Sequence, residues 1–560
     1  MKFQHNIKCL VAAILSLSTV AACHRGSSND ANQDQHLSSG QVSNKSAQAV
    51  SKYAAARFAE QASFGPTPAL VEEISQSGLT VWLDQQLSMP VKITPIPSSI
   101  ITFDLNNNDD VERTRPFAND DFWKGIVTGP DQLRRRVAWS IFQYIPILDD
   151  NFPAGRADYF NLMLRNAFGN YGTLLREVTL HPMMGKTLNN NLNRPASAQC
   201  LGCAPNENYA RELLQLFSVG VVQLNSDGSI IRDAEGKAKE TYSQKDVEEL
   251  ARALTGWRYN NVGITLPNSN WLNVTSPMVS ETNASLHDSG SKTIMGVTIK
   301  AGLNADQDLD AVIDLLMKHP NTAPFVSLRL IQHLVTSNPS PAYIGRIAAV
   351  FRDNGNGVTG DLKAVVRAIL LDPEARRGDQ INSDKDSFGK IREPVLWLAA
   401  LQRGLNCKTP IYGSAAGYLR PVAPQGQDKE GIPSIFSFYQ ATDRAPESNL
   451  LSPEQQLLSN SEFNTRLNNL SWFFIAGPTA TLNRSNSGCE IDAMFGLYRE
   501  SAAAYIEFIN QRWFRGAMPN ALRNQLMSSI QTLSNSQNRE EDALSLLQYA
   551  LSTPYFGVQQ

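Results

Sequence analysis

The stretch Asn206-Glu207-Asn208-Tyr209-Ala210-Arg211-Glu212-Leu213-Leu214-Gln215-Leu216-Phe217-Ser218 carries the densest set of reactive side chains in the sequence. Wound at about 100° per residue, Glu207, Asn208, Arg211, Glu212, Gln215 and Ser218 share one arc, while Tyr209, Ala210, Leu213, Leu214, Leu216 and Phe217 fill the other. One side is thus written for burial, and the other presents two carboxylates, a guanidinium and two amides. Glu207, Arg211 and Glu212 are the candidate catalytic residues: the carboxylates suit acid–base work and the guanidinium suits an anionic group. His287-Asp288 adds an imidazole and a carboxylate able to reach one ion, so Glu207, Glu212, His287 and Asp288 are the candidate ligands of a divalent metal. A structural reading stands beside this one. Glu207 and Arg211 are four apart in the order that favours an ion pair, and the polar arc then belongs to a charged face or a buried network.

Other chemistries fall away. There is no Gly-x-Ser-x-Gly elbow, no phosphate-binding Gly-Lys-Ser/Thr loop, no His-Glu-x-x-His pair and no dinucleotide fingerprint. Asp104-Leu105-Asn106-Asn107-Asn108-Asp109 begins like a calcium loop, but it lacks the sixth-position Gly and has Arg115 where a closing Glu belongs; Asp353-Asn354-Gly355-Asn356-Gly357 has Gly355 in place of an oxygen ligand. Both read as turns. Lys plus Arg number 50 against 53 Asp plus Glu, with no basic block, so the charge footprint of a nucleic-acid binder is missing.

The start of the chain points to export. Lys2 and Lys8 charge the start ahead of an apolar run from Cys9 to Val20 that is too short to span a membrane, and Val20-Ala21-Ala22-Cys23 resembles the bacterial lipobox. Residues 1–22 read as a lipoprotein leader and Cys23 as the acylated N-terminus; the alternative is an ordinary leader cleaved after Ala22. His24, not Asp, follows Cys23, which by resemblance to the enterobacterial sorting rule favours the outer membrane. Residues 23–51 are small and polar and read as a tether. Four thiols, Cys200, Cys203, Cys407 and Cys489, then remain for an oxidising compartment. Of three pairings, Cys200 with Cys203 and Cys407 with Cys489 is favoured, because the first two are confined to one loop.

The elements that must position these groups are mostly helical, so the fold class is mainly α, a multi-helix bundle with one or two short β-hairpins. Thr67-Pro68 opens a helix that stops near Gly78, and Thr80 opens the next. Leu133, Val137, Ala138, Ile141 and Phe142 repeat at helical spacing, as do the stretches 361–371, 394–401, 453–475, 502–514 and 539–551. Ser243-Gln244-Lys245-Asp246 has the form of a capping box, which makes Asp246 a cap before it is anything catalytic. Hairpins are expected around Asp227-Gly228 and around Gly296. His181 and His333 read as core histidines. Pro- and Gly-rich loops divide a main helical part, 52–408, from a C-terminal helical part of the same unit, 409–560.

Ala54-Ala55-Ala56-Arg57-Phe58 with Gln61-Ala62-Ser63-Phe64-Gly65-Pro66-Thr67, then Asn206 to Glu212, Leu254-Thr255-Gly256-Trp257, His287-Asp288 with Lys292, and Arg392-Glu393-Pro394, resemble the bacterial DUF1800 family in order and spacing. The resemblance runs from about Ala54 to the C-terminus. It implies an exported, mainly helical protein, and it implies no particular activity. Two functions are therefore expected. The first is a lipid-anchored envelope scaffold binding an exported partner protein or an extracellular polymer; the second is a metal-assisted hydrolase acting on an envelope or extracellular polymer.

Overall fold

The computed structural model describes residues 49–97, 120–148, 152–196, 204–261, 273, 275–381, 388–415, 418–421, 427, 432–533 and 536–560. The leader, Cys23, most of the tether, the loop 104–109 with Arg115, and Cys200 and Cys203 lie outside the described residues.

The chain is mainly α, and its helices begin and end where local chemistry directs. Helix α1 (Lys52–Ala62) is capped by Ser51, whose hydroxyl accepts from the Ala54 N–H. Val50, just before it, is tied to Ser75 through both backbone and side chain. Helix α2 (Pro68–Ser77) starts with Thr67 as cap and Pro68 in its first turn, and stops at Gly78, whose φ of +80° is left-handed. α3 (Leu79–Ser88) follows at once. α4 (Gln132–Tyr144) is buried on every side, so its three arginines bond to backbone or a neighbouring carboxylate. Arg134 donates to the Leu164 carbonyl (3.1 Å), Arg136 to the His333 carbonyl (2.7 Å), and Arg135 pairs with Asp131 (2.9 Å). Two of these cations thereby serve carbonyls at the C-terminal ends of the helices Pro153–Asn166 (α5) and Thr322–Leu334, where the helix dipole favours them.

The order continues through α6 (Tyr171–Leu180), α7 (Pro182–Thr187), α8 (Asn208–Gln215), α9 (Gln244–Ala253), α10 (Ala305–Lys318), α11 (Thr322–Leu334), α12 (Pro341–Arg352), α13 (Leu362–Leu371) and α14 (Pro394–Gly404). It ends with α15 (Asn460–Ser471), α16 (Ala480–Asn486), α17 (Ile491–Glu500), α18 (Ala502–Trp513), α19 (Asn520–Thr532) and α20 (Arg539–Ser552). Residues 47–560 form one compact unit around a single contiguous apolar core. Among the described residues no helix is long and apolar enough to cross a membrane.

Strands are short, antiparallel and paired in twos: β1 (Trp257–Arg258) with β2 (Val279–Ser280), β3 (Lys292–Ile294) with β4 (Val297–Ile299), β5 (Lys390–Ile391) with β8 (Val558–Gln559), and β6 (Tyr412–Ala415) with β7 (Tyr418–Pro421). The β3–β4 hairpin turns at Met295 and Gly296, both with positive φ, as its sequence predicts. The hairpin expected at Asp227-Gly228 is present as a Leu224–Ile230 bridge, closed by Asn225 and Ser229. The β5–β8 pair joins the middle of the chain to its last residues.

The continuous helix expected over 453–475 is instead broken. A 3-10 turn (Pro453–Leu457) precedes α15, and α15 runs into a π-turn (Trp472–Ala476) closed by the Gly477 N–H on the Trp472 carbonyl at 2.8 Å. The wider turn lets the adjacent Phe473 and Phe474 both face the core while Trp472 stays half exposed. A Cβ on Gly477 would fall 2.1 Å from the Trp472 carbonyl oxygen, so the turn needs this glycine. Cys407, after α14, is disulfide-bonded to Cys489, before α17.

Candidate functional site

Helix α8 buries Tyr209, Ala210, Leu213 and Leu214 and turns its polar arc toward the start of α9. There Arg211 pairs with Glu207 (2.8 Å), Gln244 donates to the same Glu207 oxygen (2.8 Å), and Arg211 donates to the Gln244 amide oxygen (3.0 Å). The three close a triangle between the two helices. Glu212 stands apart from it: burial pushes its carboxyl above the ordinary glutamate value despite Arg211 next door, and its Oε2 has no hydrogen-bond partner. Asn206 reaches the other way. Its N–H donates to Asn193 (2.7 Å), whose amide lies 3.4 Å from the Ala251 and Leu254 carbonyls at the end of α9.

Helix α9 organises the second cluster. The Ser243–Asp246 capping box forms, and the second Asp246 oxygen accepts from the Met295 N–H of the hairpin at 2.6 Å. Burial opposes this charge, but the Ser243 and Met295 donors outweigh it and hold the carboxyl below the ordinary aspartate value. In the last turn of the helix, Arg252 pairs with Glu249 (2.7 Å) and grips Asp288 with two bonds (2.7 and 3.1 Å). Asp288 also accepts from the Gly290 N–H (2.9 Å); burial alone would raise its carboxyl, and Arg252 with Gly290 reverses that.

His287, beside it, lies between the Thr255 carbonyl (2.9 Å from Nδ1) and Asp308 Oδ2 (2.9 Å from Nε2). Asp308, on α10, and Lys292, on β3, have fully buried side chains and are in contact, and Lys292 also donates to the Asp288 carbonyl. Gly256 explains the tight Leu254-Thr255-Gly256-Trp257 turn: its φ is +88°, and a Cβ there would lie 2.9 Å from the His287 Cβ.

A divalent ion does not fit these donors as they stand. Both Asp288 oxygens are held by Arg252 and Gly290, both His287 nitrogens face acceptors, and Glu207 is tied to Arg211 and Gln244. Among the described residues no three His, Cys, Asp or Glu side chains are grouped as a metal would need, so Glu207 and Glu212 do not join His287 and Asp288 in one such set. His181 and His333 are buried: His181 caps α7 through its Nδ1 and faces Asp158 (3.3 Å), and burial lowers both imidazoles.

A further buried centre forms around Glu393. Its carboxylate accepts from Trp139 (2.7 Å), Gln143 (3.2 Å) and Tyr439 (3.0 Å). Burial opposes its charge, and Lys390 and Arg136 reverse this and hold the carboxyl below the ordinary range. Lys390 pairs with Glu454 at 3.0 Å.

Sequence reasoning singled out neither Asp308 nor the partners of Glu393. For Asp308 a signal exists: it stands four and eight residues before the buried Val312 and Leu316, so a carboxylate heads an apolar stripe. For Glu393 none exists, because Trp139 and Gln143 are about 250 residues away in sequence.

The family model described as Protein of unknown function (DUF1800) matches residues 57–558. The chain belongs to this family. No curated protein and no solved structure matches the chain. In this DUF1800 protein the stretches that carried the resemblance gather at two buried places. Asn206, Leu254 to Trp257, His287, Asp288 and Lys292 surround the end of α9. Arg392 packs beside the C-terminal segment instead, on Glu60 (3.4 Å) and the Phe556 carbonyl (3.1 Å), while Arg57 holds Asp379 (2.7 Å) and the Ala375 carbonyl (2.6 Å).

Proposed function

We propose that this DUF1800 protein is an exported, lipid-anchored envelope protein whose helical body is a scaffold for an exported partner protein or an extracellular polymer. The observation that carries the scaffold reading is the commitment of the reactive side chains to one another. Arg252 binds Asp288, and His287 and Lys292 both meet Asp308, each across two elements, while Glu207 and Arg211, together on α8, reach α9 through Gln244; of the candidate residues Glu212 keeps an unshared oxygen. The anchor is supported by the lipobox-like Val20-Ala21-Ala22-Cys23 and the polar stretch after it.

The test has two parts. Cells fed labelled palmitate are expected to label the wild-type chain and not Cys23→Ser, and crosslinking in intact envelopes is expected to recover the chain with a partner or with polymer. An unlabelled wild-type chain would remove the anchor, and recovery of the chain alone would remove the scaffold.

A second reading, a metal-assisted hydrolase acting on an envelope or extracellular polymer, is favoured by Glu212 alone. A half-buried carboxyl with a raised pKa and an unshared oxygen is suited to proton transfer. It predicts a divalent ion retained through purification and lost in Glu212→Gln or His287→Ala.

A further inference from the structure

The contact between Lys292 and Asp308 is unlike the other ion pairs around α9. Both side chains are fully buried, whereas Arg252 and Asp288 keep 28% and 19% of their exposure. Lys292 Nζ reaches the same carboxylate oxygen that His287 Nε2 approaches at 2.9 Å, and the other oxygen of Asp308 is buried with no hydrogen-bond partner. An amine, a carboxyl group and an imidazole therefore meet in a space closed to solvent.

We infer that Lys292 and Asp308 join in an intramolecular isopeptide bond. The chemistry needs no co-reactant. Burying a full charge pair is costly, and moving one proton from the ammonium to the carboxylate gives a neutral amine beside a carboxylic acid, the two forms that condense. The Nζ lone pair attacks the Asp308 carboxyl carbon. One Nζ proton passes through His287 Nε2 to Oδ2, the C–Oδ2 bond breaks, and Oδ2 leaves as water. One C–N bond forms, one C–O bond and one N–H bond break, one O–H bond forms, and nothing is oxidised or reduced.

In bulk water this equilibrium favours hydrolysis. Here the two groups are held in contact, which replaces a bimolecular encounter by an effective concentration far above any in solution, and the burial excludes the water that would reverse the step. The product ties β3 to α10, fixing the hairpin on the helix that carries the His287 partner. His287 is a positioning and proton-relaying residue in this step. The inference stands apart from the scaffold reading and holds for either function.

The experiment is a tryptic digest of the purified, reduced full chain, read by tandem mass spectrometry. The bond blocks cleavage after Lys292, so the expected product is a branched species that joins the peptide carrying Lys292, ending at Lys300, to residues 301–318 and is lighter than the two together by one water. Lys292→Arg is expected to abolish it. Asp308→Asn is expected to give a branched species of identical mass, because the amide sheds ammonia in place of water; this variant keeps the test open if Lys292→Arg does not fold. His287→Ala is expected to slow formation, seen as a mixture of joined and separate peptides soon after synthesis. Recovery of 293–300 and 301–318 as separate peptides from the wild-type chain would show an ordinary buried ion pair and overturn the inference, as would a water loss that persists in Lys292→Arg.

Discussion

Glu212 is a half-buried carboxyl group and Asp308 a fully buried one, and they bear on stability in opposite ways. The carboxyl of Glu212 sits above its ordinary value of 4.5 because burial penalises its charge. The folded state therefore holds a proton that the unfolded chain releases earlier, and unfolding free energy falls as pH rises from about 4.5 through the raised folded value, then levels. Glu212→Gln is expected to remove that slope and to be at least as stable as the wild type at neutral pH. Urea midpoints of both chains across that window check this, and parallel curves would contradict it. Asp308 instead engages the buried Lys292 amine. Asp308→Ala removes the group to which Lys292 is joined and strands that amine, so it is expected to cost about 3 to 5 kcal/mol, the usual result of removing one member of a buried pair; a loss below about 1 kcal/mol in the same assay would show that Lys292 finds another partner. The sequence exposed the Glu207–Arg211 spacing because both residues lie on one turn. It gave no sight of His287 meeting Asp308, since that contact spans 21 positions and closes only when α10 packs under the hairpin.

At the scale of elements, the junction of α9, the turn after it and the β3–β4 hairpin does most of the positioning. Gly256 is a close approach within it, with a left-handed φ of +88° and the His287 Cβ against the place where its own would be. Gly256→Ala is expected to destabilise the fold by more than about 1 kcal/mol and to shift the His287 ring signals in a nuclear magnetic resonance spectrum. An unchanged urea midpoint would mean that the loop yields without loss. Features written within a few residues were legible in the sequence: the Ser243–Asp246 box, Thr67-Pro68 to Gly78, and the turn at Gly296. The break before α15 and the π-turn after it were not, because the apolar positions run on through both and nothing local marks the register change. The pairing of β5 with β8 was equally out of sight, since two-residue strands far apart in sequence carry no pattern of their own.

For the whole molecule, the Cys407–Cys489 bond closes a loop with a sequence separation of 82. In the chain-entropy account such a closure contributes about 4.5 kcal/mol, so reduction without denaturant is expected to lower the urea midpoint markedly while leaving helical circular dichroism intact. A midpoint insensitive to reductant would contradict that account.

The mainly α class was legible from helical periodicity and caps spread along the chain, whereas the site was legible only as a set of residue types. Its meaning depends on which charges face each other, and that is fixed by packing. In the scaffold reading these charges hold α8, α9, the hairpin and α10 to one another. Its most direct test is the divalent-metal content of the folded protein purified without chelator. A fully folded chain with no stoichiometric ion is expected. A near-stoichiometric ion that disappears in Glu212→Gln or His287→Ala would contradict it and put the hydrolase in its place.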